Sequence, residues 1–158
     1  MSAAIRSAVA ADVPAIHALL VENAANDGGV LAGTEATLLR HGFGASPVFR
    51  VVLAEQDGDT LGLSLFFPEY SSWRGRVGVF VQDLYVRPVA RGQGLGRALL
   101  AASVQAAADW EPGFVTLIVQ HKNVAARRFY AAQGFVLREK ADLLVLEGEG
   151  LARLRDAV

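Results

Sequence analysis

The sequence predicts an α/β sandwich: a mixed, mostly antiparallel central sheet of about seven strands flanked by helices, in a single domain over residues 1–158. Three observations lead there. Short apolar runs of strand length alternate with amphipathic helical stretches. Residues 81–99 pass from an apolar strand through Arg91-Gly92-Gln93-Gly94-Leu95-Gly96 directly into an alanine- and leucine-rich helix. The length of 158 residues suits one core, and 53% apolar content suffices to fill it.

A first short strand falls on residues 4–8. Asp12 follows as a good helix N-cap, with Pro14 in the first turn. Val13, Ile16 and Leu20 share one helical face. Asn26-Asp27-Gly28-Gly29 breaks that helix. Residues 34–40 read as a second short helix, closed by Gly42 and Gly44. Strands over residues 49–55 and 61–67 flank Asp57-Gly58-Asp59, a hairpin turn. Residues 68–75 read as a loop, and residues 76–85 return as a long strand.

The main helix begins near Leu95, with Leu95, Ala98, Leu99, Ala102 and Ala106 as its buried stripe. Residues 114–119 read as an apolar strand buried on both faces. Asn123 caps the next helix, whose Ala126, Phe129 and Tyr130 share a face, and Gly134 closes it. Residues 135–140 and 143–146 read as the last two strands, and the tail after Gly150 as a short amphipathic helix.

Composition excludes several classes. A net charge of −1 without a basic block argues against nucleic acid as a partner. Without cysteine there is neither a disulfide nor a thiol nucleophile. No apolar run has the length of a membrane span, and the first residues lack the order of a signal peptide. A soluble, cytoplasmic protein without membrane partners is the expectation. Three dispersed histidines give no metal-ligand spacing.

The chemistry concentrates in the glycine-rich turn. Glycines at 92, 94 and 96 let the backbone turn tightly and approach a ligand, because no Cβ intervenes. The following helix offers unsatisfied N–H groups and its positive dipole end. Together these make an anion site suited to a phosphate or pyrophosphate. A dinucleotide fingerprint needs glycine where Arg97 stands, and no G-K-[ST] triplet of a triphosphate loop is present.

This segment resembles motif A of the GNAT acyltransferases, through Arg91, Gly94 and Gly96. A second signature follows at the family's distance, in Asn123, Ala126, Phe129, Tyr130, Gly134 and Phe135. The resemblance implies the GNAT fold, splayed at the strands ending near Val86 and Val119, with acetyl-CoA as cosubstrate and no metal. It places the pyrophosphate on Arg91, Gly92, Gln93, Gly94, Leu95, Gly96 and Arg97. Backbone groups of Leu84, Tyr85 and Val86 would take the pantetheine arm and polarise the thioester carbonyl. Tyr130 is implied as the general acid at the departing thiolate: a phenol of pKa about 10 stays protonated at neutral pH and donates as charge develops. Tyr130 as an aromatic anchor, and Asn123 as an N-cap, a contact to the CoA arm or both, remain open.

The resemblance extends to the diamine and thialysine (spermidine/spermine-like) N-acetyltransferase branch. It rests on His41-Gly42-Phe43-Gly44, on Tyr70, Ser71, Trp73 and Gly75, and on Gln82-Asp83-Leu84-Tyr85-Val86. It implies a homodimer and transfer to a primary amine of a small molecule: a polyamine, a diamine or an amino acid such as thialysine. Gln82, Asp83 and Trp73 are the implied substrate contacts, with Trp73 equally readable as packing against the sheet or a dimer partner. The branch carries Glu where Gln82 stands, and Gln cannot accept a proton. An alkylammonium of pKa about 10 is neutral about one part in a thousand at pH 7, about 4 kcal/mol short of reactive. Asp83 would start on the opposite strand face from Gln82, and Asp27 and Glu69 are further carboxylates from loops.

His17 and His41 read as structural or solvated, and His121 as a possible base near the cleft. Arg127 and Arg128 read as a solvated helix face. A non-catalytic acyl-CoA-binding sensor, motivated by Gln82, and a protein or peptide N-acetyltransferase are the alternatives.

Overall fold

The computed structural model describes residues 3–138 and 143–157. They fall into two compact units, Met1–Gln120 and His121–Val158. The first contains β1 (Ala4–Ser7), α1 (Val13–Asn26), α2 (Glu35–Phe43), β2 (Arg50–Gln56), β3 (Asp59–Ser71), β4 (Arg76–Val86), α3 (Leu95–Ala106) and β5 (Val115–Leu117). The sheet order is β1-β2-β3-β4-β5. The first three pairings are antiparallel, while β5 runs parallel to β4.

The described sheet therefore has five strands, not about seven. Residues 135–138 and 143–147 are irregular, and residues 139–142 lie outside the described residues. An unbroken apolar run makes a strand only when neighbours cover it. Here Val136, Leu143 and Leu144 are exposed, the last at 89%.

Asp57 (φ 54°) and Gly58 (φ 87°) form a two-residue turn that matches the strands' twist. On one face of the sheet, Val13, Ile16, Leu19 and Leu20 of α1 and Leu38 of α2 pack on Val51, Leu53, Leu63, Leu65 and Tyr85. α3 covers the other face with Leu95, Leu99, Leu100 and Ser103 buried. Ala98, Ala102 and Ala106 are only half-buried. Ser103 Oγ lies 2.8 Å from Ser64 Oγ and 2.9 Å from the Leu99 carbonyl, a buried polar tie between helix and sheet. Phe66 meets Trp110 edge-on at 6.1 Å.

Three local expectations change. Residues 68–71 belong to β3 rather than to a loop, so only a tight turn separates it from β4. Residues 114–119 are not buried on both faces: β5 is short and half-buried at the sheet edge, and Ile118 is 62% exposed. Asp12 stands at the N-cap of α1 but makes no side-chain cap bond there. Its carboxylate instead accepts from Val9 N–H at 2.7 Å and from both Arg6 Nη atoms at 2.7 and 2.8 Å. Arg6 also donates to Glu55 at 2.6 and 2.9 Å, joining β1, β2 and the entry to α1.

The second unit holds α4 (Val124–Ala132) and α5 (Gly148–Arg155). Asn123 Oδ1 accepts from Ala126 N–H at 3.0 Å, the expected cap. Gly134, at φ 92°, closes α4 in the left-handed conformation.

Arg6 holds the Asp12 carboxyl below the usual carboxylate range, the hydrogen bond being the main cause. A lowered pKa gives stability that is present above the ordinary value and lost as pH falls through the lowered one. Asp12→Ala should therefore cost about 1–2 kcal/mol at pH 7. In urea titrations the difference from wild type should shrink as the solution is acidified below pH 4 or so.

Candidate active site

Three residues of pairing join β5 to β4: Val79 with Val115, Phe80 with Thr116 and Val81 with Leu117. β5 ends there, whereas β4 continues to Val86 along β3. Pairing of the two parallel strands thus stops at Val81, whereas the sequence leads one to expect a splay further on, near Val86. The antiparallel register steps at the same place. Phe66 pairs with Val81 and Leu65 with Asp83, leaving Gln82 as the extra residue of a bulge. The bulge redirects the side chains. Without it Val81 and Asp83 would share a face; with it Val81 turns toward α3 and Asp83 toward α1. Gln82 is exposed beside Asp83.

Backbone direction follows from the pairing. Arg87 N–H donates to the Leu61 carbonyl at 2.8 Å. Arg87 and, two residues earlier, Tyr85 therefore aim their backbone groups at β3, and Leu84 and Val86 aim theirs to the opposite side. β5 does not reach that side. Arg91 Nε donates to the Val86 carbonyl at 2.9 Å, tying the following loop to the strand end.

After a 3-10 turn over Pro88–Ala90, the chain reaches Arg91, Gly92 (φ 77°), Gln93 and Gly94 (φ 80°), and α3 begins at Leu95. Both positive φ values suit glycine. A Cβ built on Gly92 or Gly94 would meet nothing within 4 Å. Arg91, Gln93 and Arg97 are exposed around this open space. The first N–H groups of α3 have no partner within the helix. An oxygen-rich anion fits this donor set, so the residues present suit the diphosphate of acetyl-CoA.

The last turns of α1 grip β4 with polar groups. Asn23 Nδ2 donates to Asp83 Oδ1 at 3.1 Å. Burial pushes the Asp83 carboxyl up, the Asn23 bond opposes this, and Asp27 adds to the rise. Glu22 accepts from the Tyr85 hydroxyl at 3.3 Å and from Arg87 at 2.7–3.2 Å. Arg87 pulls the Glu22 carboxyl down, while burial and Glu22 together raise the Tyr85 phenol. Asn23 and Asp27 continue the apolar stripe of Val13, Ile16 and Leu20, and polar residues at such positions were the available signal. Glu22 and Arg87 left no signal that separates them from surface charges.

The structure brings Gln82 and Asp83 together with Leu84, Tyr85 and Val86 at the strand edge, and Arg91 to Arg97 just beyond. Trp73 lies elsewhere, 99% exposed at the tip of the β3–β4 hairpin. Six residue steps of β4 lead from Arg76, near that tip, to Gln82, roughly 20 Å along the strand. Glu69 is in β3 rather than in a loop. His17 Nε2 lies 3.1 Å from the Gly33 carbonyl, and His41 and His121 are exposed. In the second unit, Tyr130 packs edge-on to Phe129 at 5.2 Å and to Phe135 at 5.5 Å. Arg128 is exposed and Arg127 half-buried. Among the described residues no cluster of His, Cys, Asp or Glu is arranged to hold a metal, and no helix is long and apolar enough to cross a membrane.

Parted parallel strands, a bulge and a glycine-turned helix N-terminus define the class, and the comparison agrees: the chain belongs to the Acetyltransferase (GNAT) family, whose model matches residues 13–135. It is 32% identical over 139 residues to the Homo sapiens spermidine/spermine N(1)-acetyltransferase-like protein 1, covering 82% of this chain and 20% of that one. It is 31% identical over 109 residues to the Bos taurus thialysine N-epsilon-acetyltransferase, 64% of each chain. These relatives lie in the diamine/thialysine branch. The chain spans a fifth of the length of the first and under two thirds of the second. Its fold is that of an integron cassette protein from the mobile metagenome of V. cholerae, with a TM-score of 0.81, 21% identity and 99% of both chains covered.

Asp83→Asn preserves an oxygen acceptor for Asn23 and removes a carboxyl whose raised pKa opposes folding when ionised. The sign follows: the Asp83 contribution is most favourable below the ordinary carboxylate pKa and is lost as pH rises through the raised value. The variant should be at least as stable as wild type at pH 7, and thermal unfolding should show its relative advantage growing from pH 4 upward.

Proposed function

We propose that the chain is an acetyl-CoA-dependent N-acetyltransferase that acylates a primary amine of a small molecule, within one domain over residues 1–158. The carrying observation is the free edge of β4 at Leu84 and Val86, bounded by the Gly92–Gly94 loop on one side and the half-buried Asp83 carboxyl on the other. The family match crosses the boundary between the two compact units, which supports the single domain. The names of the relatives support a polyamine, a diamine or a basic amino acid such as thialysine as acceptor.

When bound, acetyl-CoA supplies a thioester carbonyl carbon for the amine nitrogen to attack. The N–H groups facing away from β3 at Leu84 and Val86 would hold the acyl and pantetheine portion, and the amides from Arg91 to Arg97 the diphosphate. Asn123 remains both a helix cap and a candidate contact to the arm. Preorganised donors matter because charge grows on the carbonyl oxygen as the nitrogen approaches. Asp83 attracts the ammonium and takes its proton, directly or through water. Burial raises its basicity, which suits that work, while Gln82 can orient but not deprotonate. Tyr130 gives its phenolic proton to the departing thiolate. The reading includes a homodimer, tested by light scattering: twice the chain mass is expected.

Gln82 favours one second reading, an acyl-CoA-binding protein without turnover. Thiol release from acetyl-CoA against diamines, polyamines, basic amino acids and short peptides separates the two. The enzyme reading expects turnover with small amines, and Tyr130→Phe should lower kcat by roughly 100-fold or more with little change in KM for acetyl-CoA. Tight acetyl-CoA binding with no acceptor in the panel would favour the second reading.

A further inference from the structure

The sheet face that carries Asp83 continues away from the strand parting with a chemistry of its own. Leu65 stands opposite Asp83, Phe67 opposite Phe80 and Glu69 opposite Gly78, while Thr116 lies beside Phe80 on β5. Cross-strand partners share a face and strand residues alternate. Asp83, Phe80, Phe67, Glu69 and Thr116 therefore line one side of the sheet. The Phe67 and Phe80 rings stack with centroids 4.9 Å apart and planes 17° from parallel. Both are half-buried, so part of each ring remains accessible as an apolar floor.

Glu69 ends this floor. It is half-buried, and one carboxylate oxygen accepts from the Thr116 hydroxyl. That bond fixes the carboxylate and leaves the other oxygen for a ligand. Arg74 lies beyond, its guanidinium 4.7 Å above the Phe114 ring, and Phe114 fills the space next to Gly78. The order along the face is carboxyl, aromatic pair, carboxylate, cation. Four residue steps of β3 lead from Leu65, opposite Asp83, to Glu69, roughly 13 Å.

We propose that this strip is a second acceptor subsite: Glu69 binds a second ammonium group of an extended substrate, whose methylene chain lies on Phe67 and Phe80 while its reacting nitrogen stands at Asp83. The inference rests on the reading of Asp83 as the carboxyl that receives the amine. Methylenes gain from covering the aromatic floor, and an ammonium is attracted to ring faces as well as to carboxylate. A distal group without positive charge gains nothing at Glu69. Arg74 bounds the strip, so it accommodates one distal ammonium rather than a run of them. An α,ω-diamine and a basic amino acid both offer that group, and in the amino acid the neighbouring carboxylate would face Arg74.

Glu69→Gln keeps a carbonyl acceptor for Thr116 while removing the charge. Rates are compared for a linear monoamine, the diamine of equal carbon number and lysine, with wild type and variant. The subsite predicts that the preference of kcat/KM for the diamine or lysine over the monoamine falls at least fivefold in the variant, through KM. The monoamine should be unchanged. Sensitivity of the diamine, of lysine or of both identifies the source of the ammonium and supports the subsite. An unchanged preference for both overturns it while leaving the transferase reading intact. If no amine is acetylated, calorimetric titration with the diamine and with lysine decides: weaker binding of either to Glu69→Gln supports the subsite, and equal binding of both overturns it.

Discussion

Pairing between β4 and β5 stops at Val81 and Leu117, and the bulge at Gln82 sits at that point. The arrangement of the candidate site depends on this one irregularity. It leaves the backbone N–H groups of Leu84 and Val86 without a neighbouring strand on the side away from β3, and it turns Asp83 toward α1 while Val81 remains in the core against α3. A regular strand would have kept Asp83 on the face of Val81. Buried there among apolar side chains, an unpaired carboxylate would be strongly destabilising.

A free strand edge is useful only if it is held still. β3 pairs with β4 along its full length, α3 packs beneath it, and α1 fixes it from above through two polar ties. Asn23 holds Asp83, and Glu22 holds Tyr85 and Arg87, so the ties flank Leu84 on both sides. Arg91 then binds the Val86 carbonyl and fixes where the glycine loop begins. Donors placed this way need no reorganisation as charge develops, which is the source of their catalytic value. The same ties expose the chemistry to change: each is a hydrogen bond to a carboxylate whose neighbours set its charge.

Local rules made part of this legible. Asp57-Gly58, Asn123 and Gly134 are read from single residues because turn and cap geometry are decided within a few positions. The stripe of Val13, Ile16 and Leu20 and the glycine turn before Leu95 belong to the same kind. The bulge at Gln82 carries no such mark, because a register step is a property of the partner strand as much as of its own. Pro68 misleads for a related reason. Proline suggests the end of a strand, yet even-numbered residues of this part of β3 direct their backbone toward β2, whose pairing ends at Phe66. The missing N–H therefore faces an unpaired edge and costs nothing. Asp12 shows that a good capping residue can be claimed by a stronger partner, here Arg6. The placement of Trp73 far from Gln82 follows from the unbroken length of β3 and β4, which residues 68–75 did not reveal.

Backbone amide hydrogen exchange, followed residue by residue with and without acetyl-CoA, tests the central claim most directly. If the parted strands form the cosubstrate site, saturating acetyl-CoA protects the amides of Leu84 and Val86 together with those of residues 92–97, and Tyr85, already directed at β3, changes little. Protection that spares Leu84 and Val86, or that appears on a different face of the sheet, would contradict the account.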